Sequence, residues 1–439
     1  MKATRIITTV LIALASLAAN AQEGAWNGEL NIMGTKLPLV FNFSGDGCTM
    51  DSPSQGAKGI PAEKTIKDDG TIKVSVAMIG ATFEGKMENG EIKGTYTQNG
   101  FPIPLTLKPG KLVVKRPQTP VAPFPYKEEN ISFTNAGYTF NGTLTLPQNY
   151  SKQTPVVLMV TGSGQQNRDE ELFDHKPFAV IADALARQGI ASLRYDDRGW
   201  NDKNIDFYQF TTNDFLQDAT SALPLLRKRF NKVGILGHSE GGTIAMMLAA
   251  EGKADFIVSL AGMAISGKET LVMQNRQAMS AINLPKDMVD SYCATISNIL
   301  DEIANGKKTS EITIDGVPDN LKPILKRSLE QANSPYIRHF ITIDAGKQLS
   351  KIKCPVLALN GTKDTQVDCA ANTTILETGL SNCKHTIKKI DGVNHLFQHC
   401  STGSVVEYQQ IEETIAPEVL ETITKWINEL RSEERRVGK

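Results

Sequence analysis

Gly237-His238-Ser239-Glu240-Gly241 sets a serine between two glycines. A serine hydroxyl becomes a nucleophile when the chain lifts it clear of its surroundings and a base takes its proton. The residues just before it, Lys232-Val233-Gly234-Ile235-Leu236, read as a short buried strand, and 242–250 reads as a buried helix of small residues. Strand, G-x-S-x-G, helix is a turn too tight for side chains at its flanks, with the serine oxygen thrust upward. The helix start behind it offers free N–H groups to an oxyanion. A bare match arises often by chance, so the flanking strand and helix carry the weight.

Such a serine needs an acid and a base, and in this layout they follow later strands, the histidine last. Asp364 lies just after the apolar run Pro355-Val356-Leu357-Ala358-Leu359, in Asn360-Gly361-Thr362-Lys363-Asp364. It is the expected acid, with Asp368 and Asp391 as rivals. The expected base is His395, in the loop after Thr386-Ile387-Lys388-Lys389-Ile390. His399 is four residues on. His385 precedes that strand, and His175 and His339 have no matching position. His238 adjoins the serine and should point away from it.

Oxyanion donors are expected from the Glu240 N–H and from the loop Thr161-Gly162-Ser163-Gly164-Gln165, at Ser163 or Gly164. A phosphate-binding loop would also be glycine-rich, but there is no Walker lysine and no full G-x-G-x-x-G. Tyr195-Asp196-Asp197-Arg198-Gly199 follows the next strand and reads as structural, pairing Arg198 with a carboxylate.

These loops need a sheet to hold them. From 126 onward, short fully apolar strands alternate with helices at 178–187, 213–230 and 417–430, as in a parallel sheet covered on both faces. The alternation stops over 263–349, which is helical and amphipathic. Inserted between two core strands near the serine, this block reads as a cap. Met273, Met279, Ile282 and Leu284 are apolar positions expected to face the pocket mouth.

Residues 22–115 differ. Period-two runs broken by Asp69-Gly70, Asn89-Gly90 and Asn99-Gly100 indicate a small antiparallel β domain of six or more strands. Prolines over 116–125 mark a stiff linker. Lys2 and Arg5, an apolar run over 6–17 and Ala19-Asn20-Ala21 read as a signal peptide, residues 1–21, directing export to the periplasm or beyond. Residues 431–439 are charged and aperiodic, reading as a disordered end or a cloning scar.

The 439 residues carry a formal net charge of −1, which gives no electrostatic case for nucleic acid or an anionic membrane surface. The six cysteines fit neither zinc nor redox spacings and are expected as buried thiols, with Cys369–Cys383 the one pairing to consider. No metal or cofactor motif appears, and oligomeric state is not legible.

Gly237-His238-Ser239-Glu240-Gly241, Thr161-Gly162-Ser163-Gly164, Asn167-Arg168-Asp169-Glu170, Arg194-Tyr195-Asp196-Asp197-Arg198-Gly199 and Asn360-Gly361-Thr362-Lys363-Asp364 together resemble bacterial secreted α/β-hydrolase esterases with a helical cap. The resemblance covers 126–430. Some of those esterases also carry an N-terminal β domain, and Asp51-Ser52-Pro53-Ser54-Gln55-Gly56-Ala57 looks like its signature. The resemblance implies an α/β-hydrolase fold and hydrolysis of short acyl esters, small or glycan-linked, without metal or cofactor. Gln165 where a proline is usual, and Trp200-Asn201-Asp202-Lys203 after Arg-Gly, depart from the pattern and bear on the acyl pocket.

Three functional classes follow. A serine carboxylesterase is the first. A serine peptidase of the same fold would need a cap carboxylate, such as Asp301 or Glu302, to hold a substrate amine. A binding role is the third, with Trp26, Phe83, Tyr96 and Phe101 as a sugar platform set against plain core packing.

Overall fold

The computed structural model describes residues 23–437 apart from 33–34, 46, 56, 99, 113, 201, 203, 282–283 and 315–321. The signal peptide and Ile282 therefore lie outside the described residues. The chain divides into two compact units. One spans residues up to Lys115 and takes in Val405–Glu412, a segment expected in the later domain; the other holds Arg116–Ser404 and the C-terminal segment.

The first unit is a closed antiparallel barrel of β1 (Gly24–Ile32), β2 (Thr35–Ser44), β3 (Gly47–Ser52), β4 (Ala57–Ile66), β5 (Ile72–Val76), β6 (Ala81–Glu88), β7 (Glu91–Gln98) and β8 (Phe101–Pro109). Neighbours in sequence pair, and β1 closes on β8. Alternation decides what fills it, because every second residue of a strand faces inward. Trp26, Phe41, Phe83 and Tyr96 are buried together in the lumen. Three of the four residues of the sugar platform are thus core, and only Phe101 is exposed.

The second unit has one mixed sheet. β9 (Tyr126–Asn135) and β10 (Tyr138–Pro147) form an antiparallel hairpin. The rest are β11 (Val156–Val160), β12 (Ala191–Tyr195), β13 (Val233–His238), β14 (Phe256–Leu260), β15 (Val356–Gly361) and β16 (His385–Ile390). Their spatial order is β16-β15-β14-β13-β11-β12-β10-β9, and β11 to β16 run parallel. Helices α1 (Pro177–Arg187), α2 (Thr212–Arg227) and α3 (Glu240–Ala250) join the central strands. β11, β13 and β14 are buried at every position, because helices cover both faces.

Between β14 and β15 come α4 (Gly267–Ala281), α5 (Lys286–Ala304), α6 (Lys322–Ala332) and α7 (Pro335–Phe340). This is the expected helical block, but its apolar stripe is used differently. Met279 is buried with Val289, Tyr292, Ile296 and Leu325 in a core of the block's own, and Leu284 packs against that core. Short amphipathic helices satisfy one another before they reach any pocket.

After β15, α8 (Cys369–Gly379) leads to β16, and α9 (Pro417–Val437) closes the unit. The helix runs seven residues past the expected end at 430, into the tail read as disordered. Glu and Arg are good helix formers, and extending a nucleated helix needs no apolar period. All six cysteines are free thiols, so the Cys369–Cys383 pairing is not made.

Candidate active site

β13 delivers its chain into a turn where Ser239 adopts φ 54°, ψ −120°. A non-glycine residue with positive φ is held there only by strong surroundings. Here the Ser239 N–H donates to the Leu260 carbonyl at 2.8 Å, and the Thr243 N–H returns to the Ser239 carbonyl at 3.2 Å. The flanking glycines answer to crowding. A Cβ on Gly237 would fall 1.9 Å from the Gly241 carbonyl oxygen, and one on Gly241 would fall 2.0 Å from that of Val160. Glu240 opens α3, so its N–H lies in the first turn, where no intrahelical acceptor exists.

The loops after β15 and β16 meet beside this turn. His395 Nδ1 donates to Asp364 Oδ2 at 2.8 Å, with both side chains buried. Asp364 is itself fixed: Oδ1 accepts from the N–H groups of Gln366 and Val367, and Oδ2 also accepts from Asn360 Nδ2. That bond places the neutral ring's proton on Nδ1 and leaves Nε2 as the basic nitrogen. The buried Asn394 side chain accepts from the N–H groups of Leu396 and Gln398 and so winds the loop that carries His395.

The rivals are engaged elsewhere. Asp368 caps α8 through the Ala371 N–H, and Asp391 accepts from Thr362 Oγ1. His399 is half-exposed between Glu413 and Glu418, and His385 is exposed. His175 is buried between Thr414 and Gln398, well fitted to bracing the His395 loop.

The loop after β11 is pressed against the serine, since a Cβ on Gly162 would lie 3.2 Å from Ser239 Cβ. Two carboxylates shape it. Glu170 Oε1 accepts the Gly162 N–H at 2.7 Å, which commits that donor. Asp197 accepts from Thr161 Oγ1 and from the Gln166 N–H. Arg168 is clamped on Asp196 by Nε and Nη2, while Arg198 makes a two-pronged pair with buried Asp218. The Asp-Asp-Arg stretch is thus structural as expected, but its second aspartate braces the loop of Ser163 and Gly164 directly. Gly164 has φ 98°, a conformation that favours glycine.

The parts played at this site by Glu170, His238, Asp197 and Tyr336 escaped sequence reasoning. The density of acids after β11 and β12 was the available signal for the two carboxylates. Glu240 is buried, and its carboxylate accepts from Thr212 Oγ1 at 2.5 Å and Tyr336 Oη at 2.6 Å. Burial pushes its carboxyl above the usual glutamate value, against the pull of bonds from Thr212, Tyr336 and Ser163. For His238, burial works against the charged ring. The Glu170 charge and hydrogen bond, then the His395 carbonyl, overcome this and hold it above the usual histidine value.

Strand order, elbow and loop placement define an α/β-hydrolase. Residues 175–294 match the family model described as serine aminopeptidase, S33. Esterase EstD of Thermotoga maritima is 26% identical over 304 residues, covering 67% of this chain and 68% of that protein. Among solved structures, Est1E from Butyrivibrio proteoclasticus superposes with a TM-score of 0.41 at 16% identity, covering 68% of this chain and 98% of its own. Proline iminopeptidase from Mycobacterium smegmatis does so with a TM-score of 0.43 at 12% identity, covering 70% and 100%.

Proposed function

We propose that this protein is an exported serine carboxylesterase acting on short-chain acyl esters, small or glycan-linked. The observation that carries the reading is the buried Asp364–His395 bond at the strand edge where Ser239 stands in its strained turn. His395 Nε2 takes the Ser239 proton as the hydroxyl oxygen attacks the ester carbonyl. The N–H groups of Glu240 and of Ser163 or Gly164 receive the oxyanion. Asp364 keeps the ring in register and stabilises its charged form. The imidazolium then protonates the departing alcohol, and water, activated in the same way, frees the acyl group. The helical block over 263–349 acts as the cap that sizes the acyl and alcohol groups. Export rests on the leader at 1–21.

The second reading, an aminopeptidase, is favoured by the description of the matching family model. It needs a carboxylate free to hold an amine. Asp301 pairs with Lys268 and Glu302 with Lys307, all four part-exposed, so neither offers such a site. The deciding experiment is fluorophosphonate labelling located by mass spectrometry, followed by matched ester and aminoacyl-amide panels. Label on Ser239 with turnover of acetate esters supports the esterase. Label with turnover of amides alone supports the peptidase.

A further inference from the structure

Behind the proposed triad stands a second acid–imidazole pair. Glu170 and His238 are both buried, and His238 Nδ1 lies 3.0 Å from Glu170 Oε1. The other ring nitrogen, Nε2, lies 2.9 Å from the main-chain carbonyl oxygen of His395. A nitrogen facing a carbonyl carries a proton. The nitrogen facing Glu170 meets an oxygen that already accepts the Gly162 N–H at 2.7 Å. Both ring nitrogens therefore face acceptors, the arrangement of an imidazolium beside a carboxylate. Glu170 holds its place with φ 52°, a positive φ that non-glycine residues rarely adopt.

The pair ties three segments together. Glu170 grips the loop after β11 through Gly162, His238 belongs to the elbow, and its Nε2 grips the main chain of the base. The two imidazole centroids are 4.7 Å apart. The other groups facing His238 are Asp364, beyond His395, and the ring of Phe397.

We propose that Glu170 and His238 are positioning residues for His395, locking its loop to the elbow and opposing a second positive charge on its ring. This rests on the triad reading above. The charge on His238 is close enough to count, because like charges at this range repel in a buried site. With that charge removed, as in His238→Gln, the repulsion is lifted and the rate falls on the acid side.

The test uses the full chain with His238→Gln, whose amide still donates to the His395 carbonyl, and Glu170→Gln, which still accepts from Gly162. Fluorophosphonate labelling of Ser239 and kcat/KM for a small acetate ester are followed against pH. The acid limb of both should move up by about half to one pH unit in His238→Gln, which deletes the positive charge and keeps the carboxylate, and kcat should fall in both variants with KM little changed. An unmoved limb in His238→Gln overturns the proposal, even with a uniform loss of rate, since that is what mere structural damage produces. Failure of the wild-type chain to label at Ser239 overturns the triad reading instead. Should neither variant fold, nitrogen-15 NMR of the wild-type rings decides. Two protons on the His238 ring at pH 7 uphold the pair, and a singly protonated ring overturns it.

Discussion

The Tyr336 hydroxyl donates to Glu240 Oε2 at 2.6 Å, so the first turn of α7 in the inserted block is tied to the residue that follows Ser239. Tyr336 is buried, and its ring packs against Phe207, Phe215 and Phe340. The block meets the elbow through this bond. Tyr336→Phe leaves a buried carboxylate oxygen one donor short and should cost about 1–3 kcal/mol. Denaturant unfolding measures it. Activity on long acyl esters should fall more than on acetate. Equal losses on every chain length would argue against a cap that sizes substrate.

Ser239→Ala should abolish ester hydrolysis while the fold stays intact. Losing the nucleophile of such a unit costs on the order of a million-fold in kcat. Purified protein, checked by circular dichroism, is assayed on an acetate ester. Turnover at the wild-type rate would remove Ser239 from the mechanism.

His395→Ala should be as damaging as the serine change, and Asp364→Asn severe but less so, because the acid acts through the base. His399→Ala is the control. That ring lies between Glu413 and Glu418 and should be dispensable. An active His395→Ala beside an inactive His399→Ala would reverse the assignment.

Glu240 makes stability depend on pH. Burial raises its carboxyl in the folded chain, so the unfolded chain releases that proton first, near pH 4. The folded state then binds more protons than the unfolded state. This contribution is fully present below the unfolded value and is lost as pH climbs through the folded one. Glu240→Gln cannot ionise there. Its Tm relative to wild type should improve from about pH 4 to pH 7. A constant difference across that range would show that Glu240 does not titrate in it.

Gly237→Ala tests the crowding under the elbow. The added Cβ meets backbone at 1.9 Å, which no side-chain motion relieves. A loss of about 3 kcal/mol or more is expected, seen as a fall in Tm or as insoluble protein.

Much of this was legible in the sequence, and for one reason. Apolar runs read as β11 to β15 because strands covered on both faces admit few polar residues, and the order of Ser239, Asp364 and His395 along the chain follows from which strand each succeeds. Chain order also places their loops at one edge, since parallel strands all end on the same side. Only the tertiary structure decided which acid meets His395. Asp364, Asp368 and Asp391 sit in similar turns, and the His395 bond alone separates them. His238 looked idle because sequence neighbours reveal nothing about partners 68 and 157 residues away. The apolar stripe of the inserted block could have faced a pocket or its own helices, and packing settled it inward. Local pattern fixes which face is apolar, whereas what covers that face depends on contacts between segments distant in the chain.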